Sequence, residues 1–148
     1  MNGRALILLL VFVVLVSGSE GCRKKQQSNT IFSMLQGKWK RIQLATDDNG
    51  NGIIDASELH NMPPGYSDVL LFKSDSTGME TTLVNNGSPN IIPYNWRPQY
   101  SDSLLINYRA HLSIDYYIVV LNSSLLTLSS YVSLDSGFIL TQYVYNKE

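Results

Sequence analysis

From Gly37 to the C-terminus the chain reads as a close succession of short β-type segments, and nothing in it is long enough to be a crossover helix. "GKWKRIQLAT", "DVLLFKSD", "GMETTLVN", "PYNWRP", "DSLLINY", "HLSIDYYIVVLN", "SLLTLSSYV" and "GFILTQYVYNKE" each carry alternating or briefly continuous apolar residues. The intervals hold turn residues, such as "SDSTG", "NNGSPN", "NSS" and "LDSG". Strands joined this closely pair antiparallel with their sequence neighbours. About eight of them in a row predict a meander closed into a barrel or packed as a sandwich, and exclude a βαβ fold. In Leu125–Ser130, Leu126 and Leu128 share one face and Thr127 and Ser129 the other. In the last segment both faces are partly apolar: Ile139, Thr141, Tyr143 and Tyr145 lie opposite Leu140, Gln142 and Val144.

The 148 residues suffice for one domain with a core. Only 16% are charged and nine are tyrosine, which suits strands and turns. A net charge of −1 leaves no basic excess for nucleic acid.

Residues 1–21 stand apart from this pattern. Arg4 precedes an apolar run from Ala5 to Val16, then small and polar residues lead to Cys22. The run is short for a membrane span and matches the apolar region of a secretory signal. Cys22 is the sole cysteine, so no disulfide forms within the chain. Its position resembles the acylated cysteine of a bacterial lipoprotein. Gly21 fits the residue before such a cysteine, whereas Ser19 and Glu20 depart from the usual aliphatic and small residues. The expectation is a lipid anchor on Cys22 in a bacterial cell envelope, at the outer membrane. The alternatives are an uncleaved anchor or a free thiol. Residues 22–30 read as a polar tether, and 31–148 as the domain. "IFSMLQ" has the spacing of a helical turn able to close a barrel end.

Between the first two strands lies "DDNGNGIIDASE". Calcium, a hard cation, takes six to eight oxygens, which a twelve-residue loop supplies from positions 1, 3, 5, 7, 9 and 12. Here those are Asp47, Asn49, Asn51, the carbonyl of Ile53, Asp55 and Glu58, with Gly52 at the sharp turn. The bland alternative is a polar Asn/Gly turn that binds nothing, but it does not account for Ile53, Ile54 or Glu58. With three carboxylates the expected affinity is that of extracellular sites, on the order of 10⁻⁴–10⁻³ M. "ASELHN" reads as a short helix after the loop, stopped by "MPPGY". The segment before the loop reads as a strand, so the expected role is a structural clip and not a sensor.

"LQGKWKRIQLATDDNGNGIIDASEL", "LLFKSDSTGM", "NW", "DSLLI" and "YYIVVLNSSLLTLSS", taken in order, resemble the lipocalin-like lipoproteins of Bacteroidota. "GKW", Gly37 to Trp39, is similar to the Gly-x-Trp on the first strand of lipocalins. The resemblance implies an all-β, eight-stranded antiparallel up-and-down barrel with Trp39 closing its base and a short helix after the first strand. It also implies an interior able to hold a small ligand, and no reaction. Trp96, Tyr108, Tyr117 and Tyr143 are the candidate lining residues, with Tyr94, Tyr116 and Tyr145 beside them. Aromatics also fill barrels for packing alone, and that reading stays open. His60 and His111 form no catalytic pattern with a nucleophile elbow, and zinc-ligand spacing is absent. The sequence thus points to an envelope-anchored binder of a small apolar ligand with a calcium loop. The alternative is a packed structural or protein-interaction module of the envelope.

Overall fold

The computed structural model describes residues 30–108, 112–134 and 137–148. Nine strands form one antiparallel sheet: β1 (Gly37–Thr46), β2 (Leu59–Asn61), β3 (Tyr66–Phe72), β4 (Thr77–Val84), β5 (Asn90–Pro98), β6 (Ser103–Tyr108), β7 (Ser113–Leu121), β8 (Leu125–Leu134) and β9 (Gly137–Lys147). From β3 on, each strand pairs with the next, and β9 returns to pair along β1. On the other edge of β1, β3 covers Gly37–Lys40 and the short β2 covers Gln43–Ala45. The two share one position, so nine strands make an up-and-down barrel of eight positions, the lipocalin-like architecture. Closure of β1 on β9 leaves, among the described residues, the short β2 paired on one side only.

The helix after β1 is shorter than the sequence suggests. Only Ala56–Glu58 turn, as a 3-10 segment, and the next three residues extend as β2. A cap fixes its start, and pairing with β1 cuts off its end. The Glu58 carboxylate accepts the Asp55 backbone N–H as part of a capping box. The backbone of Leu59–Asn61 finds ladder partners on β1.

Residues 30–35 form a helical turn that packs under the barrel. Leu35 and Trp39 are both fully buried, and Trp39 Nε1 donates to the Leu35 carbonyl at 2.6 Å. Phe32 stacks on Trp96 with ring centroids 4.7 Å apart, and Phe72 meets Trp96 edge-on at 5.0 Å. Leu104, Ile106, Leu126 and Leu128 complete this plug. Each such side chain contributes about 1.5–3 kcal/mol on burial. Gly78 admits one of its members. Any Cβ there would collide with the Tyr94 ring, which crosses β4 so that its hydroxyl donates to the Leu71 carbonyl.

The faces are not set by simple alternation throughout. A β-bulge lies between Arg41 and Gln43, and a second between Ile118 and Val120. A bulge inserts one residue, so the strand beyond it changes face. Arg41 and Leu44 therefore both pair with inward tyrosines, Tyr145 and Tyr143. On the outer surface of β7–β9, Tyr117, Tyr131 and Phe138 stay exposed.

Candidate functional site

The plug fills one end of the barrel, and the other end holds a cavity of about 450 Å³. Its walls are Arg41 from β1, Glu80 from β4, Ile92 from β5, Tyr108 from β6, Ile114 and Tyr116 from β7 and Tyr143 from β9, with Leu112 beside them. Register explains the convergence. Glu80 pairs with Leu70 and stands in phase with Gly78, which faces Phe72. Ile92 and Tyr94 follow the same face of β5, and Tyr108 is opposite Tyr94 on β6.

Beneath the cavity lies a buried ion pair. Arg41 Nη2 is 2.6 Å from Asp68 Oδ2, with the two side chains 13% and 1% exposed. Arg41 also donates to the Tyr145 hydroxyl at 3.2 Å. Its guanidinium sits 4.7 Å from the Tyr143 ring centre and 5.5 Å from that of Tyr145, within cation–π range. Arg41 Nε and Asp68 Oδ1 are buried and have no hydrogen-bond partner among the described residues.

The two partners respond differently to this setting. Burial penalises both charges. For Asp68 burial prevails over the attraction of Arg41, and Glu80 adds repulsion, so its pKa is pushed up to about 6. For Arg41 the opposing burial is outweighed by Tyr145 and Asp68, which hold the cation more firmly than in water. Burial also raises Tyr108, Tyr116 and Tyr145, and Glu80 reinforces the shift at Tyr108 and Tyr116. Their hydroxyls stay protonated and serve as neutral donors and acceptors.

Two of the four aromatic candidates, Tyr108 and Tyr143, meet in this cavity. Trp96 does not line it. It is 1% exposed in the plug, where its Nε1 donates to the Thr77 carbonyl. Tyr117 is corrected: it is 56% exposed on the outer face, and its neighbour Tyr116 takes the inward place because strand side chains alternate. Arg41 and Glu80 were missed altogether. The one signal for inward charge was phase: Asp68 shares the face of Leu70 and Phe72.

The loop Asp47–Glu58 joins the barrel at the same end as the cavity, where the Asp47 N–H bonds the Leu140 carbonyl at 2.9 Å. Gly52 takes φ +79° at the turn. Asp47 and Glu58 are buried at the root of the loop. The Asp47 carboxylate accepts the N–H of Asn51 at 3.1 Å and of Gly52 at 2.7 Å. Glu58 accepts those of Asp48, Asn49 and Asp55. Asn49 and Asn51 accept loop amides through their side-chain oxygens and donate to Asp55 Oδ2. The Ile53 side chain points to solvent. Among the described residues no three His, Cys, Asp or Glu side chains are grouped closely enough to hold a metal. The donors are all oxygens; Asp47 Oδ1 and Oδ2 and Glu58 Oε2 each accept one amide and keep a lone pair, whereas Glu58 Oε1 and Asp55 Oδ2 each accept two. The set suits a hard cation in kind but is not drawn together around one point. His60 is exposed on β2. Cys22 and His111 lie outside the described residues, as do the leader and most of the tether.

No family model matches the chain, and no curated protein matches it. Similar solved structures include lobster apocrustacyanin A1 (11% identity, 78% of this chain and 62% of that one, TM-score 0.48). A bovine odorant-binding protein in complex with a selenium-containing odorant is another (16%, 79% and 72%, 0.48). Aphrodisin, a pheromone of the female hamster, is a third (16%, 77% and 75%, 0.44). The chain thus spans less than two thirds of the lobster protein. At these values nothing here rests on the likeness; the barrel is established by its own strand pairing.

Proposed function

We propose that this protein is a lipid-anchored envelope carrier that holds a small, largely apolar ligand in its barrel, with calcium stiffening the loop at the mouth. The observation that supports it is the cavity of about 450 Å³ above a filled base. Binding sites for small molecules commonly occupy about 300–1,000 Å³, with apolar walls and a few convergent polar groups. Ile92, Leu112, Ile114 and the tyrosine rings supply the first, and Glu80 and the tyrosine hydroxyls the second. The role is binding, not catalysis. Residues 30–35, to which a tether from Cys22 would connect, pack at the closed end of the barrel.

One experiment examines both anchor and cargo: native mass spectrometry of protein extracted from the membranes of its own host. The expected spectrum carries acyl mass on Cys22, absent from Cys22→Ala, and a non-covalent small molecule released on unfolding. A bare polypeptide mass would remove both parts of the proposal.

For calcium, Asp47, Asn49, Asn51, Asp55 and Glu58 would supply side-chain oxygens and Ile53 its carbonyl. Binding would draw Asp55 and the two asparagines towards Asp47 and Glu58. With a dissociation constant on the order of 10⁻⁴–10⁻³ M, roughly 10 mM calcium stabilises the fold by about 1.4–2.7 kcal/mol. A rise of several degrees in melting temperature is expected, and Glu58→Gln should lose most of it. A melting curve indifferent to calcium would leave the loop as a hydrogen-bonded turn.

A further inference from the structure

The charges around the cavity decide what kind of head group it accepts. Arg41 is charge-paired through a single nitrogen, Nη2, while its Nε has no hydrogen-bond partner among the described residues. Asp68 is 2.6 Å away, Tyr145 takes another N–H, and Tyr143 and Tyr145 lie within cation–π range. An anionic head group at this guanidinium would lie beside the buried Asp68 carboxylate and share the wall with Glu80, and both would repel it. Glu80 is in the opposite position. It is half-buried in the cavity wall, and no cation is within ion-pair distance of it among the described residues. Among the described residues Arg41 and Asp68 cancel, which leaves Glu80 as one negative charge in excess. A wholly apolar ligand would cover that carboxylate without a counter-charge, also at a cost.

Three tyrosine rings surround the same space. Tyr116 and Tyr143 meet edge-to-face with centroids 6.0 Å apart, and Tyr108 shares the cavity wall with Glu80. Aromatic faces attract ammonium ions, and more strongly where water is excluded. An ammonium also brings three donors for a carboxylate and hydroxyl oxygens to accept.

We propose that the cavity selects amphiphilic amines, the ammonium paired with Glu80 among Tyr108, Tyr116 and Tyr143 and the apolar body against Ile92 and Ile114. This rests on the carrier reading and narrows it from apolar ligands in general to cationic ones.

Calorimetric titration of the purified protein with octylamine, octan-1-ol and octanoate provides the test, because the three share a chain and differ in head group. Octylamine is expected to bind about tenfold or more tightly than the other two, a difference near 1.4 kcal/mol. Glu80→Gln should bring octylamine down to the level of octan-1-ol while octan-1-ol binding is retained. The wild-type ranking stands by itself if that variant does not fold. Octanoate binding as tightly as octylamine, octan-1-ol matching it, or a preference that survives Glu80→Gln overturns the amine assignment and leaves the carrier reading intact. No binding by any of the three overturns both.

Discussion

Replacing Trp39 with alanine is expected to lower folding stability by about 3–5 kcal/mol, the range for emptying a large aromatic site in a core. The indole is fully buried and meets two partners, one of which is itself anchored. Its N–H donates to the Leu35 carbonyl at 2.6 Å, Lys147 Nζ lies 4.9 Å from the ring centre, and the same Nζ donates to the Met34 carbonyl. Trp39 thus ties helical turn 30–35 to β1 and to the end of β9. Gly37, two residues earlier, has φ +120°, a conformation side chains rarely adopt, and a Cβ there would press on Lys147 Cε at 2.9 Å. Gly-x-Trp is therefore a backbone requirement followed by a packing requirement. Trp39→Phe separates the contributions: it keeps most of the ring and loses the donor, so about 1–3 kcal/mol is expected for the unpaired carbonyl and altered fit. Urea unfolding of the three proteins measures this. A loss below about 1 kcal/mol for Trp39→Ala would show that the barrel closes without the plug.

Gly37 and Trp39 illustrate what the sequence makes legible. Strands and turns follow from alternation and from residues such as those in "SDSTG", where Asp75 accepts from Thr77 twice and Ser76 takes a positive φ. The order of β3 to β9 was readable for that reason, and so was the helical turn of "IFSMLQ". The charged interior was not. Arg41 sits one residue before a bulge, and the bulge is decided by how β1 meets β9 across the whole length of the chain. Its local sequence, "WKRIQL", offers Ile42 as the apolar residue of choice, yet Ile42 is the extra one. Glu80 lies in "METTL", a strand with few apolar residues to mark an inward face. Asp68 had a signal, its phase with Leu70 and Phe72, but a carboxylate in that phase is readable only once its cation is known. Tyr116 and Tyr117 show a smaller version of the limit. Adjacent tyrosines must face opposite ways, and local composition does not say which is inside. The loop Asp47–Glu58 is the reverse case. Its pattern is fully legible, and its glycine turn and Glu58 contacts are local, but convergence of its oxygens depends on an ion that a pattern does not supply.

Removing Arg41 is expected to be as damaging as removing Trp39, in a manner that depends on pH. In Arg41→Met the methionine fills much of the volume, but Asp68 is left buried with Glu80 as its charged neighbour. Breaking a buried pair from one side costs about 3–5 kcal/mol at neutral pH. In the intact protein the Asp68 pKa is raised from 3.8 to about 6. The folded state therefore binds the proton more tightly than the unfolded state. Folding is favoured by this group below about pH 4, and that contribution is lost as pH rises through 6. Loss of Arg41 removes the attraction that holds the pKa down, so the window extends upward from 6. Acidification then protonates Asp68 in the variant and relieves the uncompensated charge. The deficit of Arg41→Met relative to the parent should be largest at about pH 7–8 and shrink substantially by about pH 5. Arg41→Met combined with Asp68→Leu removes both charges and should recover most of the stability at pH 7, because an apolar pair of similar volume often equals a buried ion pair. Denaturant melts of the parent, the single variant and the double variant at the two pH values measure all of this. Equal deficits at both pH values, or a double variant no better than the single, would mean that Arg41 acts by packing against Tyr143 and Tyr145 and not by compensating Asp68. In the expected case Arg41 belongs to the structure of the barrel, and Glu80 is the charge left to meet a ligand.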